Sequence, residues 1–206
     1  MLKPLIRLAL HLNFSATLRA ATKLEYGAGI FCFKMAIRAQ DEGYLNLAQF
    51  LKRQFTEEDS HARMLGGLVD GATRVKRNCP GGLVTIIDGR HYDYEAFDGI
   101  SQRYWAAKLF FWFEKPEGFD WVDILAFMSV VESQVAKFYE VLGEYEDTSV
   151  AIIAKKILTN ENEHADYLKQ CIACFHSNPE GVYMKWKNRI ILAWVGGIID
   201  LIKYIK

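Results

Sequence analysis

Glu58 with His61 and Glu161 with His164 are two Glu-x-x-His pairs, and each follows an apolar segment carrying a lone glutamate, Glu25 and Glu132 respectively. This is a pattern for holding metal ions. On a helix, positions three apart share a face, so each pair offers a carboxylate and an imidazole to one point. Carboxylate-bridged di-metal bundles combine two such pairs with one glutamate from each of two further helices. The candidate ligands are therefore Glu25, Glu58, His61, Glu132, Glu161 and His164.

The helical stripe through the first pair reads Leu47, Leu51, Gln54, Glu58, His61, Leu65, and that through the second reads Ala154, Ile157, Glu161, His164, Leu168. Such 3.6-residue periodicity marks a core-facing side, so the carboxylates stand where leucine would be expected. Four carboxylates in an apolar interior would cost many kcal/mol, or would bind protons, unless cations neutralised them. Two divalent ions balance four carboxylates, and the imidazoles bind neutral. An oxygen-rich O/N set suits two iron ions, with manganese or a mixed iron–manganese pair left open, whereas zinc usually brings fewer carboxylates or some thiolates. The alternative is a set of hydrogen-bonded polar residues in an ordinary helical core.

Positioning these groups takes four core helices. Their expected spans are about 15–40 with Ser15 as N-cap, 44–69 after a break at Gly43, 121–142 closed by Gly143, and 148–176 closed before Pro179. The stretch 71–118 is a crossover. Within it Leu83 to Ile87 and Arg90 to Tyr94 flank Asp88-Gly89 as a hairpin with a type I′ turn, and Ile100 to Phe113 reads as a short aromatic helix. The two halves repeat the order lone Glu, then Glu-x-x-His.

Residues 2–12 are apolar with Lys3, Arg7 and His11, and no acid precedes Glu25. Charges interrupt this run too often for a secretory core; a short amphipathic lead-in helix that packs or touches membrane is expected, with a transit peptide as the alternative. The last segment, 182–206, holds ten uncharged residues between Arg189 and Asp200, flanked by lysines. That is too short to span a bilayer. Trp186, Trp194 and Tyr204 among cations suit a helix lying in a headgroup region, or a fifth helix capping the bundle.

Composition narrows the classes. With 206 residues, 51% of them hydrophobic, the chain can bury one substantial core, and a single domain over 1–206 is expected. A net charge of zero argues against nucleic acid as a partner. Cysteines at 32, 79, 171 and 174 form no disulfide framework, which fits a reducing, cytoplasmic setting, with peripheral membrane contact through the last segment as the further expectation. Cys171 and Cys174 make a lone C-x-x-C, read as core packing rather than redox chemistry.

The strings Glu25-Tyr26-Gly27-Ala28, Glu58-Asp59-Ser60-His61, Glu132-Ser133 with Tyr139 one helical repeat later, and Glu161-Asn162-Glu163-His164 resemble the demethoxyubiquinone hydroxylases. The resemblance covers the four core helices and the tail, in order. It implies an all-α, ferritin-like four-helix bundle with a long crossover, here carrying a short β-hairpin insert, and an extra amphipathic C-terminal helix. It also implies a di-iron monooxygenase at the membrane surface that hydroxylates a hydrophobic, quinone-like substrate with O2 and an electron donor. Tyr139 is the candidate catalytic residue, as a hydrogen-bond or proton-coupled electron donor, and equally reads as a core tyrosine. The chain departs from the family at Ala21-Thr22-Lys23-Leu24, where members carry Asp-His-Ala-Gly, and at Phe138, where they carry His; the substrate is left open by this. A rubrerythrin-like peroxidase and a ferritin-like iron store are the other classes, a monomer or homodimer excluding the last.

Overall fold

The computed structural model describes residues 2–69 and 104–205, and between them the strand residues 73–76, 83–87 and 90–91. For the strands and for residues 2, 198 and 201–205 only the backbone is described. Helix dominates: α1 (Leu2–Leu12), α2 (Phe14–Asp41), α3 (Leu45–Gly66), α4 (Trp105–Phe110), α5 (Trp121–Leu142), α6 (Thr148–Ile172) and α7 (Pro179–Ile205), with a 3₁₀ turn at Pro116–Gly118. Strands β1 (Thr73–Lys76), β2 (Leu83–Ile87) and β3 (Arg90–His91) form an antiparallel sheet in the order β1-β2-β3, with Ile86 opposite His91 and Thr73 opposite Ile86. The expected turn residues Asp88 and Gly89 lie outside the described residues, as does the start of the aromatic segment at 100–103.

The chain forms two compact units, residues 1–97 with 137–157, and residues 98–136 with 158–206. In the first, α2 packs along α3 and α1 rests on α2. The N-cap of α2 is Asn13, not the expected Ser15: its side-chain oxygen accepts from the Ala16 amide at 2.9 Å, and Phe14 and Ser15 are already helical. Asparagine so close upstream satisfies an orphan amide that Ser15 would otherwise have to serve. The lead-in segment is helical as expected. It buries Ile6 and Leu10 and pairs Lys3 with Glu140 and Arg7 with Glu144, each at 2.7 Å. These exposed ion pairs contribute at most about 1 kcal/mol each, so the buried side chains hold α1 down.

In the second unit α4 packs on α7. Asp200 accepts from the Trp105 and Ala106 amides, both at 3.0 Å, neutralising orphan donors at the start of α4. At the crossing, a Cβ placed on Gly196 would lie 2.4 Å from the carbonyl carbon of Trp105. Backbone must then move, so Gly196→Ala is expected to cost about 1–3 kcal/mol, read as a lowered midpoint in thermal unfolding of the full chain.

Trp186 does not face outward, as the headgroup reading of this helix expects of it. It is 1% exposed, its ring packs among Phe110, Phe111, Phe119 and Phe127, and its indole N–H donates to Asp123 at 2.7 Å. Aromatic rings bury large areas, and a buried indole needs an acceptor; Asp123 supplies it. α4 also stops earlier than expected, at Phe110, because Trp112 and Phe113 take φ of 56° and 65°. Two adjacent bulky residues in the left-handed region cost of order 1–3 kcal/mol each.

Candidate metal centre

Each compact unit holds one buried Glu-Glu-His triad, and the two triads together account for all six expected ligands. None of the six is more than 5% exposed. In the first unit α2 supplies Glu25 and α3 supplies Glu58 and His61, with one ligand atom from each within 4.8 Å of the others. His61 Nδ1 lies 3.6 Å from Glu25 Oε2 and 3.5 Å from Glu58 Oε2. In the second unit α5 supplies Glu132 and α6 supplies Glu161 and His164, again with a ligand atom from each within 4.8 Å of the others.

The first triad shows what burial does to such groups. Burial raises the Glu25 carboxyl to about 8, with the neighbouring Glu58 charge adding to the rise and the His61 hydrogen bond opposing it. Burial alone would push His61 down, but the carboxylates of Glu25 and Glu58 outweigh it and lift the imidazole to about 10. Without a cation, protons on Glu25 and His61 therefore offset the charge of this cluster at neutral pH. A metal ion can replace those protons, because hard carboxylates and a neutral imidazole are ligands for it. The donor set of each triad, two carboxylates and one imidazole, could hold a divalent metal ion.

Tyr139, in the first unit, donates its hydroxyl to Glu25 Oε1 through a short hydrogen bond and is fully buried. The expected candidate thus touches the carboxylate of a candidate ligand. In the second unit Ser129 Oγ donates to the Ala165 carbonyl at 2.7 Å, tying α5 to α6 beside His164. Sequence reasoning passed over Ser129, although its place three residues before Glu132 puts it on the same face. It also passed over Asp59, buried next to Glu58 and paired with Arg63.

Gly29 was missed too, and it sets how closely α2 approaches α3. A Cβ there would stand 3.2 Å from Glu58 Cβ, so the absent side chain lets Glu58 reach the cluster. Gly29→Val is expected to displace Glu58, costing about 1–3 kcal/mol and weakening metal binding, whereas Gly29→Ala should be tolerated with a small shift of α3. Metal titration of both variants checks this.

No protein-family model, no curated protein and no solved structure matches the chain. The described residues form a helical protein with buried glutamate and histidine groups that could hold a metal ion.

Proposed function

We propose that the two triads are halves of one dinuclear centre in a ferritin-like four-helix bundle built from α2, α3, α5 and α6. In this reading the protein is an O2-activating di-iron oxygenase, hydroxylating a hydrophobic, quinone-like substrate at the membrane surface. The observation that carries it is the deep burial of four carboxylates with two histidines, which water cannot stabilise and cations can. Tyr139 on Glu25, a hydroxyl donor beside a candidate ligand, supports the oxygenase over a site that merely stores ions.

Two ferrous ions bound here would supply electrons and Lewis acidity for O2 reduction. The chain's own residues do the rest. Glu25, Glu58, Glu132 and Glu161 would hold the ions together with His61 and His164. Tyr139 holds a proton at Glu25 Oε1, where it can be delivered to, or recovered from, the reacting oxygen. Burial of the six side chains keeps bulk water from the site.

The test is a single turnover of ferrous-loaded protein with O2 and a short-chain quinol, followed by mass analysis for an added oxygen atom. Hydroxylated product supports the proposal. Fast peroxide consumption with no oxygen insertion would instead make the protein a rubrerythrin-like peroxidase, and accumulation of mineral iron in a large assembly would make it a store.

A further inference from the structure

We infer that Cys171 and Cys174 form a dithiol–disulfide site at the end of α6 that exchanges with a low-molecular-weight disulfide of the glutathione kind. The site lies within the second unit, uses none of the triad residues and goes beyond the proposed function.

Exposure comes first. The C-x-x-C was expected to pack in the core, but the structure leaves Cys174 exposed and Cys171 half-buried, both as free thiols. Cys32 on α2, by contrast, is buried. A thiol reacts with a dissolved disulfide only where solvent reaches it, and this pair meets that condition.

The backbone brings the two side chains to one side. α6 ends at Ile172, and there three successive amides reach back three residues: Ala173 to the Gln170 carbonyl at 3.2 Å, Cys174 to that of Cys171 at 3.0 Å, and Phe175 to that of Ile172 at 3.0 Å. This is the 3₁₀ pattern, in which side chains three apart eclipse with a rise of about 6 Å between them. Cα atoms at that separation fall inside the range of about 4.4–6.8 Å that a disulfide bridges. The turn is also held from outside. The Phe175 ring meets that of Trp121 at 6.4 Å, and His176 Nδ1 accepts the Asn178 amide at 3.0 Å. Holding both thiols in place beforehand removes much of the entropy cost of closing the bridge.

Environment divides the roles. Burial raises the Cys171 thiol above its ordinary value, a hydrogen bond from the Tyr167 hydroxyl opposes the rise, and the charge of nearby Cys174 adds to it. Cys171 is therefore the thiol that waits, and exposed Cys174 is the one that attacks. The Cys174 thiolate bonds to one sulfur of the small disulfide, breaking its S–S bond and releasing one thiolate. Cys171 then loses its proton and attacks the Cys174 sulfur, forming the Cys171–Cys174 bond and expelling the second thiolate. Two protein thiols are oxidised, one disulfide is reduced to two thiols, and the protons pass to those thiols. A soft metal ion also suits thiolates, but two of them do not complete a site. Among the described residues, the groups of three or more converging ligand atoms are those of the glutamates and histidines.

The experiment incubates the reduced full chain with oxidised glutathione, blocks the remaining thiols by alkylation and maps tryptic peptides by mass. The peptide 170–185 holds Cys171 and Cys174 and no other cysteine. In the parent it is expected to appear bridged, two hydrogens lighter and unalkylated, and dithiothreitol should restore both thiols. Cys171→Ser should stop with glutathione held on Cys174, and Cys174→Ser should take up glutathione about tenfold or more slowly. No bridged peptide in the parent, no glutathione on Cys174 in Cys171→Ser, or equal rates for the two variants would overturn the inference. So would zinc that copurifies with the parent and is lost from either variant, which would make the pair a metal site.

Discussion

Glu132→Ala is expected to weaken binding of at least one metal ion by more than about 100-fold, beyond the 10–100-fold typical of losing a group that only supports a ligand. The reason is charge as much as a missing bond. Glu132 is one of two carboxylates in the triad it shares with Glu161 and His164, and two divalent ions against three carboxylates would leave an unbalanced positive charge in a dry interior. The metal-free variant should unfold no more easily than the metal-free parent, because removing a buried carboxylate also removes its desolvation cost. Metal analysis after dialysis and thermal melts with and without ferrous ion check both halves of the expectation. An unaltered two-ion content would take Glu132 out of the ligand set.

The second large effect is on pH. In the metal-free protein Glu25 is raised from 4.5 to about 8 and His61 from 6.5 to about 10. Both shifts mean that the folded state holds protons the unfolded chain has released, so ∂ΔG/∂pH is negative in each window. The contribution of Glu25 is full below 4.5 and lost as pH rises to about 8; that of His61 is full below 6.5 and lost as pH rises to about 10. Metal reverses the trend. An ion in this triad must displace both protons, so its affinity should climb with pH, by between about tenfold and a hundredfold per unit across neutrality. The metal-free midpoint should therefore fall from pH 6.5 towards pH 8 while the gap between metal-loaded and metal-free midpoints widens. Anaerobic calorimetry in buffers of different ionisation enthalpy should report net proton release. Affinity flat across that range would remove the protonated cluster.

Much of this was legible in the chain because it is written in local periodicity. The stripes through Glu58 and Glu161 gave α3 and α6, and the six candidate ligands could be chosen because carboxylates at core positions are physically costly. Helical spacing joins the glutamate and histidine of each pair, while Glu25 and Glu132 join them only through the packing of a neighbouring helix. What was not legible depends on partners distant in sequence. Trp186 among cations reads as an interfacial residue until Asp123, far away in the chain, accepts its N–H. The early end of α4 lies in two backbone angles that aromatic residues rarely adopt, and no propensity would assign them. Gly29 matters only through its distance to Glu58. The N-cap at Asn13 rather than Ser15 is a smaller miss, between two residues that both cap well.

The central claim, that two buried triads cooperate as one dinuclear centre, is tested most directly by anaerobic titration of the metal-free full chain with ferrous ion, followed by exposure to O2. The expected result is an endpoint of two ions per chain and, on oxidation, the near-ultraviolet absorption of an oxygen-bridged diferric pair. An endpoint of one ion or none, or two ions whose oxidation leaves no bridged spectrum, would contradict it.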